Sequence, residues 1–214
     1  MMGGGKMTYI ELIQLLKNAD SVEAIDNHRT EIEKLIPQVG RMFEFDQKNY
    51  SHQYGLWKHC LHTVLGLERN IDDDMLYLAA LLHDIGKPDC QTPGTREGDT
   101  NMHYYGHPER SAEIVQDEII KTLEEQGVEL SSEDKTRLIY YVRYHDDHVS
   151  LRMKHLRRHL KLVSLDTFKK LMMLQVADAK AHIMIPNIMK RIEICQKLSG
   201  EYADYLYMQI LQGK

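Results

Sequence analysis

Apolar residues along this chain recur at intervals of three and four, the spacing of one face of an α-helix. Near the C-terminus, Ile188, Ile192, Cys195, Leu198, Tyr202, Leu206 and Ile210 form such a stripe, which predicts an amphipathic helix suited to a core or to a dimer. Ala112, Val115, Ile119 and Leu123 form another. Leu138 with Val142, and Phe168 with Leu171 and Leu174, continue the pattern. Asp20 followed three residues later by Glu23 predicts a capping box opening a helix that runs toward Leu35. Period-two alternation is missing, as are internal repeats. The pattern predicts an all-α fold, a single-domain helical bundle.

One segment breaks the helical rhythm. Between Gly86 and Pro108 lie Pro88, Pro93 and Pro108 together with Gly86, Gly94, Gly98 and Gly106. Helix cannot persist through that composition. A connection this long inside a helical domain is usually functional or disordered. This one starts at His83-Asp84 and ends at His107, which favours function and a loop rimming a pocket.

Composition narrows the class. At 214 residues, 43% hydrophobic and 28% charged, the chain suits one soluble domain with a real core. Residues 1–6, a Gly run without an apolar stretch, read as a flexible leader and not a signal peptide, and 7–214 as the domain. The net charge of -5 gives no global attraction to nucleic acid or acidic membranes. Met75 to Leu82, the longest apolar run, is too short to span a bilayer. Cys60, Cys90 and Cys195 form no CxxC pair, which argues for reduced thiols in a cytoplasmic compartment.

Twelve histidines are the unusual feature. His-Asp occurs twice, at His83-Asp84 and His145-Asp146, and the dipeptide alone means little. Context gives the first its weight: it ends the apolar run Leu76 to Leu82, and Gly86 and Pro88 follow at once. A helix end lets adjacent side chains, otherwise about 100° apart, converge on one ion. Asp178 extends the stripe Phe168, Leu171, Leu174 by four residues and so faces inward between Ala177 and Ala179. A buried carboxylate calls for a metal ion, a Lys or Arg partner, or a role as cap on a neighbouring helix. His145 continues the stripe of Leu138 and Val142, as a ligand or as a satisfied core residue. His107 opens a helix ahead of Pro108, as a ligand or as a capping or surface group. In Trp57-Lys58-His59-Cys60-Leu61-His62, either histidine is able to face the site.

Together these residues resemble the HD superfamily of metal-dependent phosphohydrolases. His59 in a WxHxL context, His83-Asp84 with Gly86-Lys87, and Asp178 within Ala-Asp-Ala match in order and spacing over roughly residues 52 to 182. Finer features resemble the HD domain of bacterial CCA-adding enzymes: Ala79 to Pro88, Gly106-His107 with Ser111-Ala112, Val142 to His145, and Leu165 to Ala181. No nucleotidyltransferase signature accompanies them, so the resemblance implies a stand-alone hydrolase domain. It implies that His59, His83, Asp84 and Asp178 hold a first metal, and that His107 and His145 add a second in some members. The GYP signature of the cyclic-dinucleotide phosphodiesterases is missing.

The implied chemistry is hydrolysis of a nucleotide or related small phosphate ester by metal-activated water. Asp84 has two oxygens with which to bridge two ions. Lys87 is placed to meet a phosphate oxygen, with Arg110 a second candidate. Imidazole and carboxylate ligands suit Mn, Fe, Ni, Co or Zn, one or two ions, better than Mg. Two other readings use the same residues: a di-iron oxygenase, and a regulatory module that holds metal and nucleotide without turnover. The basic run Arg152, Lys154, His155, Arg157, Arg158, His159, Lys161 reads as a solvated helix face. Its alternative is a grip on polyphosphate or an RNA backbone, with no interleaved aromatics to support RNA.

Overall fold

In the computed structural model, which describes residues 6–213, the helical periodicity becomes a bundle wrapped around one nearly all-apolar helix. That helix, α5 (Asp74–Leu82), has every residue from Met75 to Leu82 buried. An element hydrophobic all round has to be covered on every side. Helices α4 (Leu56–Gly66), α9 (Ser132–Tyr144) and α11 (Leu165–Lys180) pack around it, and α1 (Tyr9–Asn18) closes the remaining face. The expected leader, apart from Lys6, lies outside the described residues.

Local chemistry sets the helix ends. Thr8 and Glu11 form a reciprocal capping box on α1, Ser131 and Asp134 another on α9, and Ser164 caps α11. Asp73 caps α5 by accepting from Met75 N at 3.1 Å, and its second oxygen accepts from Tyr141 Oη at 2.8 Å. This one buried carboxylate thereby fixes α9 against the start of α5.

Two helix predictions need correction. Ser21, not Asp20, caps the second helix: its side chain accepts from Ala24 N at 3.2 Å. The helix then breaks at Asn27-His28 into α2 (Val22–Asp26) and α3 (Arg29–Leu35). The C-terminal stripe also divides. Gly200, in an extended conformation, separates α12 (Pro186–Ser199) from α13 (Glu201–Leu211). The corner keeps Cys195, Leu198, Ala203 and Leu206 on the core side. The stripe from Ala112 to Leu123 is buried as expected, but α7 (His107–Ile114) passes through a π-helical turn before α8 (Ile120–Glu125).

The Gly/Pro-rich segment carries more order than its composition predicts. It begins with the single turn α6 (Lys87–Cys90), with Pro88 in the tolerated first turn. Thr92–Pro93 (β1) and Met102–His103 (β2) then form a minimal antiparallel hairpin. Asn49 Nδ2 donates to Met102 O at 2.8 Å, and Met102 N donates to Lys48 O at 2.9 Å, which ties the hairpin to the loop preceding α4. Gly106, at φ 79°, makes the turn into α7.

Gly86 governs how closely α7 approaches the end of α5. Its N–H donates to Ser111 Oγ at 2.9 Å, and a Cβ there would lie 2.5 Å from Ser111 N and 2.9 Å from Arg110 C. Gly86→Ala should therefore lower unfolding free energy by about 1–3 kcal/mol, the usual cost of overpacking. Urea denaturation checks this; an unchanged midpoint would show that α7 is free to retreat.

Candidate metal centre

Five helices deliver side chains to one point. His59 comes from the middle of α4. His83 and Asp84 follow the last turn of α5, with His83 as its C-cap. His107 is the first residue of α7, His145 is the C-cap of α9, and Asp178 lies in the last turn of α11. All six are buried. The C-terminal ends of α5, α9 and α11 meet here, and the negative ends of their dipoles favour a cation.

The imidazoles are oriented by their own backbones. His83 Nδ1 donates to Ala80 O at 2.9 Å, His107 Nδ1 to Tyr104 O at 2.7 Å, and His145 Nδ1 to Val142 O at 2.7 Å. For His83 and His145 the acceptor is a carbonyl the helix end leaves free. A carbonyl only accepts, so each Nδ1 carries a proton and each ring turns its Nε2 inward. These Nε2 atoms meet: His107 Nε2 lies 3.2 Å from His145 Nε2, and His83 Nε2 lies 3.3 Å from His59 Nε2.

Asp84 stands between the two pairs. Its Oδ1 is 3.1 Å from His107 Nε2 and 3.3 Å from His145 Nε2. Its Oδ2 is 3.3 Å from both His59 Nε2 and His83 Nε2. Asp178 Oδ1 joins the second pair, 3.0 Å from His59 and 3.5 Å from His83. Neither Asp84 oxygen receives a well-aligned hydrogen bond. Acceptors buried this close together are costly, and the Lys87 ammonium beside Asp84 Oδ2 relieves only part of that cost. A divalent transition ion resolves this, because it takes imidazole nitrogen and carboxylate oxygen together. The donor set fits such an ion, and divides into two triads: His59, His83 and Asp178, and Asp84, His107 and His145.

Lys87 is also buried, with Nζ 2.6 Å from Asp84 Oδ2 and 2.8 Å from Gln47 Oε1. Burial works against both charges of that pair. Even so, the Lys87 ammonium and His83 hold Asp84 well below the ordinary carboxylate range, and Asp84 holds Lys87 above its usual value. Burial also opposes ionisation of Asp178, but hydrogen bonds from His182, His59 and His83 outweigh it and depress its pKa. Burial pushes His145 down and His52 down to about 2, so both are neutral at ordinary pH.

Of the two histidines on α4, only His59 reaches the cluster. His62 is half-buried and stacks on Tyr54, ring centroids 4.0 Å apart. Arg110 is not at the site: it binds Asp89 at 2.7 Å and Glu113 at 3.3 Å on the surface. Beside the cluster opens a cavity of about 440 Å³, whose lining includes Asp84, Lys87, His107, His145 and Asp178. The sequence reading missed His52 and His182, which also line it. His182 Nε2 is 3.3 Å from Asp178 Oδ1, and the His52 and His182 rings lie 4.4 Å apart across a β-bridge. His182 follows Asp178 by four residues, one helical turn, and that spacing was the available signal. His52 lies in a loop with no periodicity to reveal it.

Among comparisons with known proteins, a family profile described as HD domain matches residues 49–179. No curated protein gives a significant match.

The buried histidines set the metal-free protein's response to acid. His52 stays neutral in the fold and burial makes His145 harder to protonate, whereas in the unfolded chain both take protons as pH drops through about 6.5. The unfolded state then binds more protons, so stability falls with pH below that point, by up to about 1.4 kcal/mol per pH unit for each group. His83, pushed down by burial but raised more by Asp84, keeps its proton in the fold, so its contribution is complete below about pH 6.5 and is lost only as pH rises above that point. Urea midpoints of chelator-treated protein between pH 7 and 5 check this. A midpoint that rises toward pH 5 would contradict it.

Proposed function

The chain belongs to the HD domain family, and from that premise we propose that it is a metal-dependent phosphohydrolase acting on a nucleotide or a related small phosphate ester. The observation that carries the reading is Asp84: its two oxygens face two separate His pairs at 3.1–3.3 Å, so that it would serve as a ligand on both sides if cations were bound. In this reading His59, His83, Asp84 and Asp178 hold one ion, and His107 and His145 join Asp84 to hold a second. The metal, Mn, Fe, Ni, Co or Zn, supplies when bound the Lewis acidity that makes water nucleophilic at neutral pH and offsets phosphoryl charge.

The protein's own residues do the remaining work. Lys87, aimed by Gln47 and lining the cavity, meets a non-bridging phosphate oxygen as a point charge. His52 and His182 supply ring nitrogens on the same wall for the ester or its leaving group. The loop containing Tyr104 and Tyr105 forms the rim and selects among substrates, since a cavity of about 440 Å³ is the size of a small-molecule site. The motif similarity of Ala79 to Pro88 to the corresponding part of CCA-adding enzymes supports a nucleotide-like substrate. Three unpaired cysteines support a reducing, cytoplasmic setting. Among the described residues no helix is long and apolar enough to cross a membrane.

The test is a panel of phosphomonoesters and phosphodiesters with protein purified without added metal. His83→Ala and Asp84→Ala should each lower hydrolysis at least about 100-fold. His59→Ala should lose bound metal by elemental analysis, while His62→Ala should retain it. If wild type and the His83 and Asp84 variants share the same trace activity, the hydrolase reading fails. Two irons per chain with cleavage of C–H or C–P bonds would replace it with an oxygenase.

A further inference from the structure

A second cavity, of about 660 Å³, opens beyond the C-terminal end of α9, and its lining shares no residue with the first. Five fixed cations line it: Arg152, Lys154, Arg157, Arg158 and Lys161. The lining contains one carboxylate, Asp147. Burial disfavours that charge, but His155, His159 and Arg158 outweigh burial and keep its pKa depressed. Arg158 binds it directly, and His159 Nε2 lies 3.1 Å away. Arg158 is therefore matched, while Arg152, Lys154 and Lys161 have no carboxylate partner among the described residues. Such a concentration of positive charge is at odds with a chain of net charge -5.

The basic run is also not the uniformly solvated helix face expected from sequence. On α10 (Met153–His159), His155, Leu156 and His159 are buried, and only the flanking cations are exposed. His155 is 7% exposed and borders the cavity; its Nε2 lies 3.9 Å from Asp147 Oδ2, beyond hydrogen-bond length, and neither ring nitrogen makes a hydrogen bond. A buried imidazole left unsatisfied in this way calls for a ligand.

Two ligand chemistries compete for this place. Asp147, His155 and His159 bring ligand-type atoms within 4.8 Å of one another, as a metal site would. However, Arg158 already occupies Asp147 and reaches to 3.3 Å from His159 Nε2. A dication would also have to enter a field of five cations. That field selects an anion. Arginine forks and lysine ammoniums match phosphate oxygens, and the volume falls within the range of small-molecule sites. No Phe, Tyr or Trp lines the cavity to stack a base, which disfavours nucleic acid.

We propose that this cavity is a binding site for a small, multiply charged phosphate anion, separate from the metal centre and held by Arg152, Lys154, Arg157 and Lys161 with His155 at its base. Asp146 lines the first cavity and Asp147 the second, so the stretch following His145 forms the wall between them. An anion here contacts the segment that positions a residue of the metal centre. The site is accordingly placed to act as an effector site.

The experiment is isothermal titration of the full chain with inorganic tripolyphosphate, read as binding without turnover and so independent of the hydrolase reading. Wild type should bind one equivalent. The triple variant Arg152→Ala/Lys154→Ala/Lys161→Ala, which alters only exposed side chains, should weaken binding roughly 30-fold and flatten its salt dependence. Lys87→Ala, in the other cavity, should keep that binding. Absence of binding by wild type, equal binding by the triple variant, or loss in Lys87→Ala alone would each overturn the proposal. An RNA 12-mer that binds more tightly than tripolyphosphate and is lost in the triple variant would replace the small anion with nucleic acid.

Discussion

The arrangement depends on a repulsion. Two carboxylates and four imidazoles crowd their oxygens and Nε2 atoms to 3.0–3.5 Å of one another inside the protein. Three of the rings cannot relieve the crowding by turning, because their Nδ1 protons are committed to backbone carbonyls. Lys87 offsets part of one charge and cannot serve both faces of Asp84. The helices around α5 hold these groups together at a cost that a cation repays, and that cost is what makes the cluster a metal centre in waiting.

The architecture explains how the cost is sustained. The C-caps of α5 and α9 orient His83 and His145 by using carbonyls that the helix ends had left without partners. Asp178 is held by being one turn from the end of α11, on the same stripe that packs Phe168, Leu171 and Leu174 into the core. Gly86 lets α7 approach, and α7 delivers His107. Each polar group is thus positioned by an element whose stability comes from apolar burial elsewhere. Strong polar demands at the centre coexist with a stable bundle because different residues satisfy the two requirements.

Much of this was legible in the sequence because helical periodicity dictates direction. Asp178 and His145 extend apolar stripes, so their inward orientation followed from spacing alone. The end of α5 at His83 followed from Gly86 and Pro88. What periodicity does not govern was not legible. Ser21 won the cap over Asp20 because one residue decides the register of a first turn. The stripe across Gly200 preserves its spacing through a corner, so the pattern could not reveal two helices. His52 sits in a loop, and its approach to His182 depends on a β-bridge between segments 130 residues apart. The choice of His59 over His62 required knowing that Tyr54 stacks on the latter.

The central claim is that a divalent ion occupies the space between Asp84 and Asp178. Anomalous diffraction from crystals grown with Mn or Zn tests it most directly. The account predicts a strong anomalous peak shared by His59, His83, Asp84 and Asp178, with a second on the His107 and His145 side of Asp84. Featureless density there, with the Asp84 and Asp178 carboxylates turned apart, would contradict it.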